Sequence, residues 1–314
     1  RKEEIGDFII QRSDGTPTYN FAVAVDDALM EITHVIRGED HLSNTPKQIM
    51  IYKALGFDLP QFAHLPMIFG FDKKPLSKRH GATSVSEYKD KGYFAEALLN
   101  YLALLGWSLD DKTTIISKDE LIAKFNLNKV SKNPAVWDIK KLEWMNGYYM
   151  RDKSLGELIK LAVPLFEEKG YKLELDKEEF YNWLKSCFSI IRERAKTLKE
   201  IPELIEFLLS KEISIDDNDW DKLFKEKDLS EQIMKLAIKK VDNLQEWTVG
   251  AIEKALREIV KETGYKVRDV FQRIRLALTG KLVSPPLFES IKLAGKELTV
   301  KRLKNALVKI RGEN

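Results

Sequence analysis

The spacing of apolar and polar positions changes once along the chain. Up to about residue 70 the apolar runs are short and β-branched, separated by turn residues; from Ser84 onward they recur at helical spacing. Ile5–Arg12 reads as a strand closed by the turn Ser13-Asp14-Gly15. Thr18–Val25 is apolar enough for either a strand or a helix, and its period leaves both open. Ile32–Arg37 reads as a strand ended by Gly38. A helix follows, with Thr45 as N-cap, Pro46 at its first position and Gly56 just past its end, and then an apolar strand over 64–69. Strand, polar loop, capped helix and strand is the rhythm of a βαβ unit in a parallel sheet, where ligands sit beyond the carboxyl ends of the strands. Arg37-Gly38-Glu39-Asp40-His41 and Lys73–Gly81 both fall at such ends.

The pattern supplies strands for only half a doubly wound sheet before helices take over, so the first half is expected upstream of Arg1. The helical part is well punctuated. Tyr93–Leu105 stops at Gly106, and Ser117–Glu120 and Ser154–Glu157 read as capping boxes, the second helix closing at Gly170. Lys140–Tyr149 is amphipathic. Asp176–Glu206 holds a long amphipathic stretch interrupted near Pro202, and the acidic Ile213–Asp221 reads as a loop-like boundary. Further helices are expected from Leu229, over 246–263, 267–278 and 287–293, and from Leu298 to the end. No fixed-period repeat appears, which excludes a solenoid.

At 314 residues the chain has room for several domains. Its net charge of +3 is small but uneven. Between Tyr265 and Gly312 lie Lys266, Arg268, Arg273, Arg275, Lys281, Lys292, Lys296, Lys301, Arg302, Lys304, Lys309 and Arg311, opposed only by Asp269, Glu289 and Glu297. That balance suits a phosphate backbone as partner, and equally a solvated helical face. Cys187 is the only cysteine, and the four histidines lack ligand-like spacing, so neither a disulfide framework nor a metal site is expected. No run reaches membrane-spanning length and no signal peptide opens the sequence, so a cytoplasmic setting is expected. The loop Lys73-Lys74-Pro75-Leu76-Ser77-Lys78-Arg79-His80-Gly81 offers cations, amides and a hydroxyl to a polyphosphate, although short basic clusters are commonly solvated loops.

Several of these segments together resemble one family. Gly6–Ile10 with Ser13–Phe21, Val25-Asp26-Asp27 and Ile32–His41 is similar to the catalytic domain of bacterial glutamyl-tRNA synthetases. Leu76-Ser77-Lys78-Arg79-His80-Gly81-Ala82 looks like that family's form of the class I signature loop. Leu98–Trp107 and Trp144-Met145-Asn146 resemble the stem-contact region, and Gln272–Gly280 with Pro286-Leu287-Phe288 the C-terminal anticodon-binding part. The resemblance implies an α/β plus all-α chain. Residues 1–70 would be the second half of a class I Rossmann-type catalytic domain, 71–152 the signature loop and helical stem-contact domain, and 153–225 and 226–314 two helical anticodon-binding subdomains.

Carried onto this sequence, the resemblance implies roles for individual residues. Tyr19 and Arg37 would bind glutamate, the arginine by its planar fork. Asp40 would contact the ribose of ATP, and Met67 and Ile68 its adenine edge. Lys74, Ser77, Lys78 and Arg79 would face the phosphates, with Lys78 as the catalytic cation beside the departing pyrophosphate. Arg194, within Arg194-Ala195-Lys196-Thr197-Leu198, and Arg275 would read anticodon bases. The implied activity joins L-glutamate to tRNA(Glu) using ATP as its Mg²⁺ complex, in a monomer. Pro75 replaces the family's usual first lysine, and the His-x-Gly-His signature of the first half occurs nowhere. A non-catalytic RNA-binding protein is the alternative from another class. Glutaminyl-tRNA synthetases share the catalytic domain but carry a β-barrel anticodon module, at odds with the helical pattern beyond Arg151.

Overall fold

A computed structural model of the chain describes residues 5–77, 79, 81 and 84–312. It divides into two units: one through residue 87 together with 96–142, the other 88–95 together with 143–314.

The first unit is built on one crossover. Strand β1 (His34–Gly38) leads through helix α2 (Thr45–Leu55) to β2 (Gln61–Leu65), which lies parallel to β1 with Arg37 opposite His64. Before it, α1 (Tyr19–Leu29) settles the ambiguous 18–25 segment as a helix. Phe21, Ala24 and Ala28 recur at helical spacing and pack on Ile51, Tyr52 and Phe57. Gly56 ends α2 in the left-handed conformation, φ 72°, as its position predicts.

Three local expectations are corrected here. Residues 5–12 form no strand: the segment makes a single antiparallel bridge, Gln11 with Pro17, around a tight turn, and Pro17 has no amide to extend a ladder. The apolar run 64–69 is two strands, because Pro66 follows Leu65 and the chain changes sheet. Beyond it β3 (Ile68–Phe69) pairs in parallel with β4 (Ala135–Val136). Thr45 is the first residue of α2 rather than its cap, and its hydroxyl is used elsewhere.

Helices α3 (Val85–Asp90), α4 (Ala95–Ala103), α5 (Lys118–Lys124) and α6 (Ile139–Asp152) follow. In the first unit Asn100 of α4 accepts from the Ile116 amide (3.0 Å), and the Tyr101 hydroxyl accepts from the Asp138 amide (2.7 Å). These pin the chain after α4 around a core of Trp107, Ile116 and Leu121.

The described residues of the second unit contain helices and no strand: the end of α6, then α7 (Leu155–Glu168), α8 (Glu178–Ile191), α9 (Glu200–Leu209), α10 (Asp217–Phe224), α11 (Lys227–Asp242), α12 (Val249–Thr263), α13 (Val267–Thr279), α14 (Leu287–Ala294) and α15 (Lys296–Arg311). The capping box at Ser154 and Glu157 forms in both directions. Pro202 does not interrupt a helix; it sits in the first turn of α9, where an amide has no partner to lose, and the break falls at 192–199. The acidic 213–221 segment is a cap and a helix: the Asp216 carboxylate accepts from the amides of Asn218 and Asp219 and opens α10.

Buried groups tie these helices together. Asn146 of α6 accepts from the Phe94 amide (2.8 Å) and donates to the Lys196 carbonyl (2.6 Å). Arg302 of α15 donates to the carbonyls of Phe207 and Ser210 at the end of α9 and of Leu278 near the end of α13, at 2.6–2.7 Å. A cation at two helix C-termini meets their partial negative charge. Burial lowers its pKa to about 10, which leaves it charged at neutral pH.

Gly280 ends α13 with φ 74°, and a Cβ there would lie 2.4 Å from the Ser214 carbonyl oxygen. Gly264 has a similar φ of 69° with open space around it. Urea denaturation is expected to show Gly264→Ala costing about 1 kcal/mol and Gly280→Ala at least about 2 kcal/mol. Equal costs would show that the Ser214 contact yields freely.

Candidate active site

Arg37 lies on β1 with its side chain toward α2. Its Nη2 donates to Thr45 Oγ1 (2.8 Å) and Gln48 Oε1 (2.7 Å), its Nε approaches His64 Nε2 (3.5 Å), and the group lies 6.0 Å from the Phe62 ring centre. Gln48 is buried and donates in turn to Asn20 Oδ1 (3.1 Å). Thr45 Oγ1 is also 2.9 Å from His64 Nε2. Because a guanidinium only donates, His64 Nε2 acts as acceptor and the imidazole is neutral, carrying its proton on Nδ1. Burial, the Arg37 charge and His41, in that order, hold the His64 pKa below its usual 6.5. Among the described residues Arg37 Nη1 has no partner, so one arm of a pinned cation remains for an anion.

Tyr19 opens α1 and is exposed; its hydroxyl is 3.5 Å from His41 Nδ1 and the two rings are tilted against each other. His41 Nε2 is 3.7 Å from Asp40, and Asn44 Nδ2 is 3.2 Å from His41 Nδ1. Asp40 folds back on Gly38, where a Cβ would lie 2.4 Å from its carboxylate oxygen. Tyr19, His41 and Asp40 thus form one cluster, and Asn20 joins α1 to Arg37 through Gln48.

The Met67 amide is given to Glu39 Oε1 (3.1 Å), and the Ile68 carbonyl accepts from the Leu76 amide (2.8 Å). One backbone group at each of these two residues is therefore already spent within the chain. The basic loop begins as a tight hairpin. Gly70 donates to the Lys74 carbonyl (2.9 Å), and Phe69 bridges Pro75. These bonds flank Pro75 on either side, so a proline fits where no amide is required. Lys74 donates its amide to Asp72 Oδ1 (3.0 Å), and Arg79 Nη2 lies 3.7 Å from Asp72 Oδ2, both basic side chains being exposed. Ser77 is half-buried. Lys78, the residue expected to be catalytic, lies outside the described residues.

In the second unit, Arg194 and Arg275 converge on one loop. Arg194 Nη1 donates to the Ser284 carbonyl (2.9 Å), and Arg275 Nη1 to Ser284 Oγ (2.8 Å) and the Pro285 carbonyl (3.1 Å). Burial first, and the Arg194 charge second, lower the Arg275 pKa. Two guanidiniums that repel each other share a loop of carbonyls, an arrangement that an incoming acceptor or anion would relieve. Much of the cationic tail, by contrast, is consumed internally. Arg273 is buried against Ser230, Arg302 grips carbonyls, Lys281 reaches Glu206 and Arg311 pairs with Glu231.

Thr45, Gln48, His64 and Asn20 were not legible as site residues. The signal was present in α2, whose buried stripe is Thr45, Gln48, Ile51 and Tyr52: two polar residues at core spacing beside a strand that carries an arginine. Among the described residues no group of His, Cys, Asp and Glu is placed to hold a metal ion, and no helix is long and apolar enough to cross a membrane.

The sequence matches two family patterns, "tRNA synthetases class I (E and Q), catalytic domain" over residues 1–144 and "Anticodon binding domain" over 157–307. Glutamate–tRNA ligase 1 of Caldicellulosiruptor saccharolyticus is 46% identical over 301 residues, 96% of this chain and 62% of its own length. Glutamate–tRNA ligase 2 of Thermosipho melanesiensis is 47% identical over 96% of this chain and 64% of its own. A glutamate tRNA ligase from Elizabethkingia meningosepticum, solved in complex with its amino acid, superposes with a TM-score of 0.72 at 29% identity, covering 98% of this chain and 63% of that one. The chain thus spans somewhat under two thirds of the relatives it matches.

With its folded-state pKa depressed, His64 adds stability that is complete above pH 6.5 and is lost as pH falls below that value. Denaturation midpoints measured from pH 7.5 down to pH 5 are expected to fall more steeply for the wild type than for His64→Gln, which keeps an acceptor but does not titrate. Parallel curves would remove His64 from the Arg37 network.

Proposed function

From a chain that belongs to the class I synthetases for glutamate and glutamine, we propose that the intact protein is a glutamate–tRNA ligase. In the first step the α-carboxylate oxygen of L-glutamate attacks the α-phosphorus of ATP, carried as its Mg²⁺ complex, and the bond to the bridging oxygen breaks to release pyrophosphate. In the second, a terminal ribose hydroxyl of tRNA(Glu) attacks the acyl carbon and AMP leaves. The observation that carries the reading is the pinned Arg37, a guanidinium with fixed orientation and an unspent arm, which suits recognition of a planar carboxylate.

In this reading Arg37 and Tyr19 hold glutamate, Asp40 the ribose, and Met67 and Ile68 the adenine edge. Lys74, Ser77, Lys78 and Arg79 carry the charge of the phosphates, with Lys78 stabilising pyrophosphate as it departs. Little general-base chemistry is required; rate comes from positioning and charge stabilisation. Residues 1–70 serve as the catalytic half-domain, 71–152 as loop and stem contact, and 153–225 and 226–314 as anticodon-binding parts. Arg194 and Arg275 present their remaining donors to bases of the unpaired anticodon loop, while exposed lysines of the tail, such as Lys301 and Lys304, meet phosphates. The second unit, helical and without strands among its described residues, supports glutamate over glutamine as the amino acid, since the glutamine enzymes are the ones with a barrel. We take the protein to act as a monomer in the cytoplasm.

Glutamate-dependent, tRNA-stimulated ATP–pyrophosphate exchange by the intact protein tests this. Arg37→Lys keeps the charge and removes the fork, so the glutamate KM is expected to rise about tenfold or more with the ATP KM little changed. An unchanged glutamate KM would take Arg37 out of the pocket.

A further inference from the structure

The donor-only character of Arg37 fixes the direction of every hydrogen bond behind it. Arg37 Nη2 gives to Gln48, so the atom that Gln48 turns toward it is the carbonyl oxygen, at 2.7 Å. The other end of the same amide is therefore a nitrogen, and it donates to Asn20 at 3.1 Å. Asn20 then receives through Oδ1, and its own Nδ2 is left over. Among the described residues Asn20 Nδ2 has no partner. Gln48 is 2% exposed, and turning its amide over would set donor against donor at Arg37 and acceptor against acceptor at Asn20. The orientation of Asn20 is thus imposed from β1 through α2.

Asn20 follows Tyr19 in the first turn of α1 and is half-buried. The relay ends in two unspent donors, Arg37 Nη1 and Asn20 Nδ2, with a single glutamine amide between them. Two unspent donors match an anion with two oxygens and mismatch a carboxamide, whose nitrogen would meet one of them.

We propose that Asn20 is a substrate-contacting residue that donates from Nδ2 to a carboxylate oxygen of the amino acid, and that Gln48 is the positioning residue that decides which end of the Asn20 amide faces the substrate. This rests on the reading that Arg37 binds an amino-acid carboxylate. Asn20→Asp is the sharpest variant. Its carboxylate still accepts from Gln48, so the relay stays intact, while the free donor becomes a negative oxygen.

In ATP–pyrophosphate exchange by the intact protein, Asn20→Asp is expected to raise the glutamate KM about tenfold or more and Asn20→Ala about three- to tenfold, with the ATP KM within about twofold. In Gln48→Glu the acceptor for Arg37 remains, but no N–H is left to orient Asn20. Adding Asn20→Ala to that background should then change the glutamate KM by less than about twofold. Melting curves confirm that each variant is folded. Glutamate KM values within twofold of wild type for both Asn20 variants would overturn the contact, and full additivity of the double variant would reduce Gln48 to packing. A wild-type protein without glutamate-dependent exchange would instead overturn the functional reading, before any variant is compared.

Discussion

A guanidinium has five donors and no acceptor, and the first unit is arranged around that asymmetry. Arg37 points from a strand into a helix, and among the described residues no carboxylate takes its hydrogen bonds. Acceptors are gathered for it instead: a threonine hydroxyl, a glutamine carbonyl and a neutral imidazole. The first two lie on the inner stripe of α2, where apolar residues would otherwise pack. Arg37 is half-buried, so leaving it without such partners would cost a part of the several kcal/mol that a fully buried, unpaired cation costs. Positioning of the arginine and packing of the crossover are therefore one problem with one solution.

The second unit meets the same constraint differently. Arg302 is held through its two terminal nitrogens by backbone carbonyls at the ends of α9 and α13, which join the two halves of the helical region through the last helix. Arg194 and Arg275 lean on the loop at Ser284, close to one another and incompletely used. A buried arginine whose two terminal nitrogens are held by three carbonyls is a fastening.

Much of this fold was readable because local chemistry is local: the Ser154 capping box, Gly56 at the end of α2 and the β1–α2–β2 crossover all follow from residues near one another. What was not readable depended on distant partners. Residues 5–12 have strand-like composition but nothing to pair with beyond one bridge, and the run 64–69 hid a change of sheet at Pro66. Thr45 resembles an N-cap until the arginine that claims its hydroxyl is in view. The tail looked like a cationic face because charge counts ignore burial, and Arg273 and Arg302 are interior. Family resemblance pointed to Arg37 and Tyr19; only the structure brought in Gln48, His64 and Asn20, through contacts across 11 to 28 residues of sequence.

In the proposed function, fixed donors on this chain select a carboxylate-bearing amino acid for joining to RNA. Charging of tRNA(Glu) by the intact protein, with ATP, Mg²⁺ and labelled amino acid, examines that directly. Acid-precipitable label is predicted with glutamate, dependent on ATP, and not with glutamine. Incorporation of glutamine in preference, or no ATP-dependent incorporation of glutamate, would contradict it.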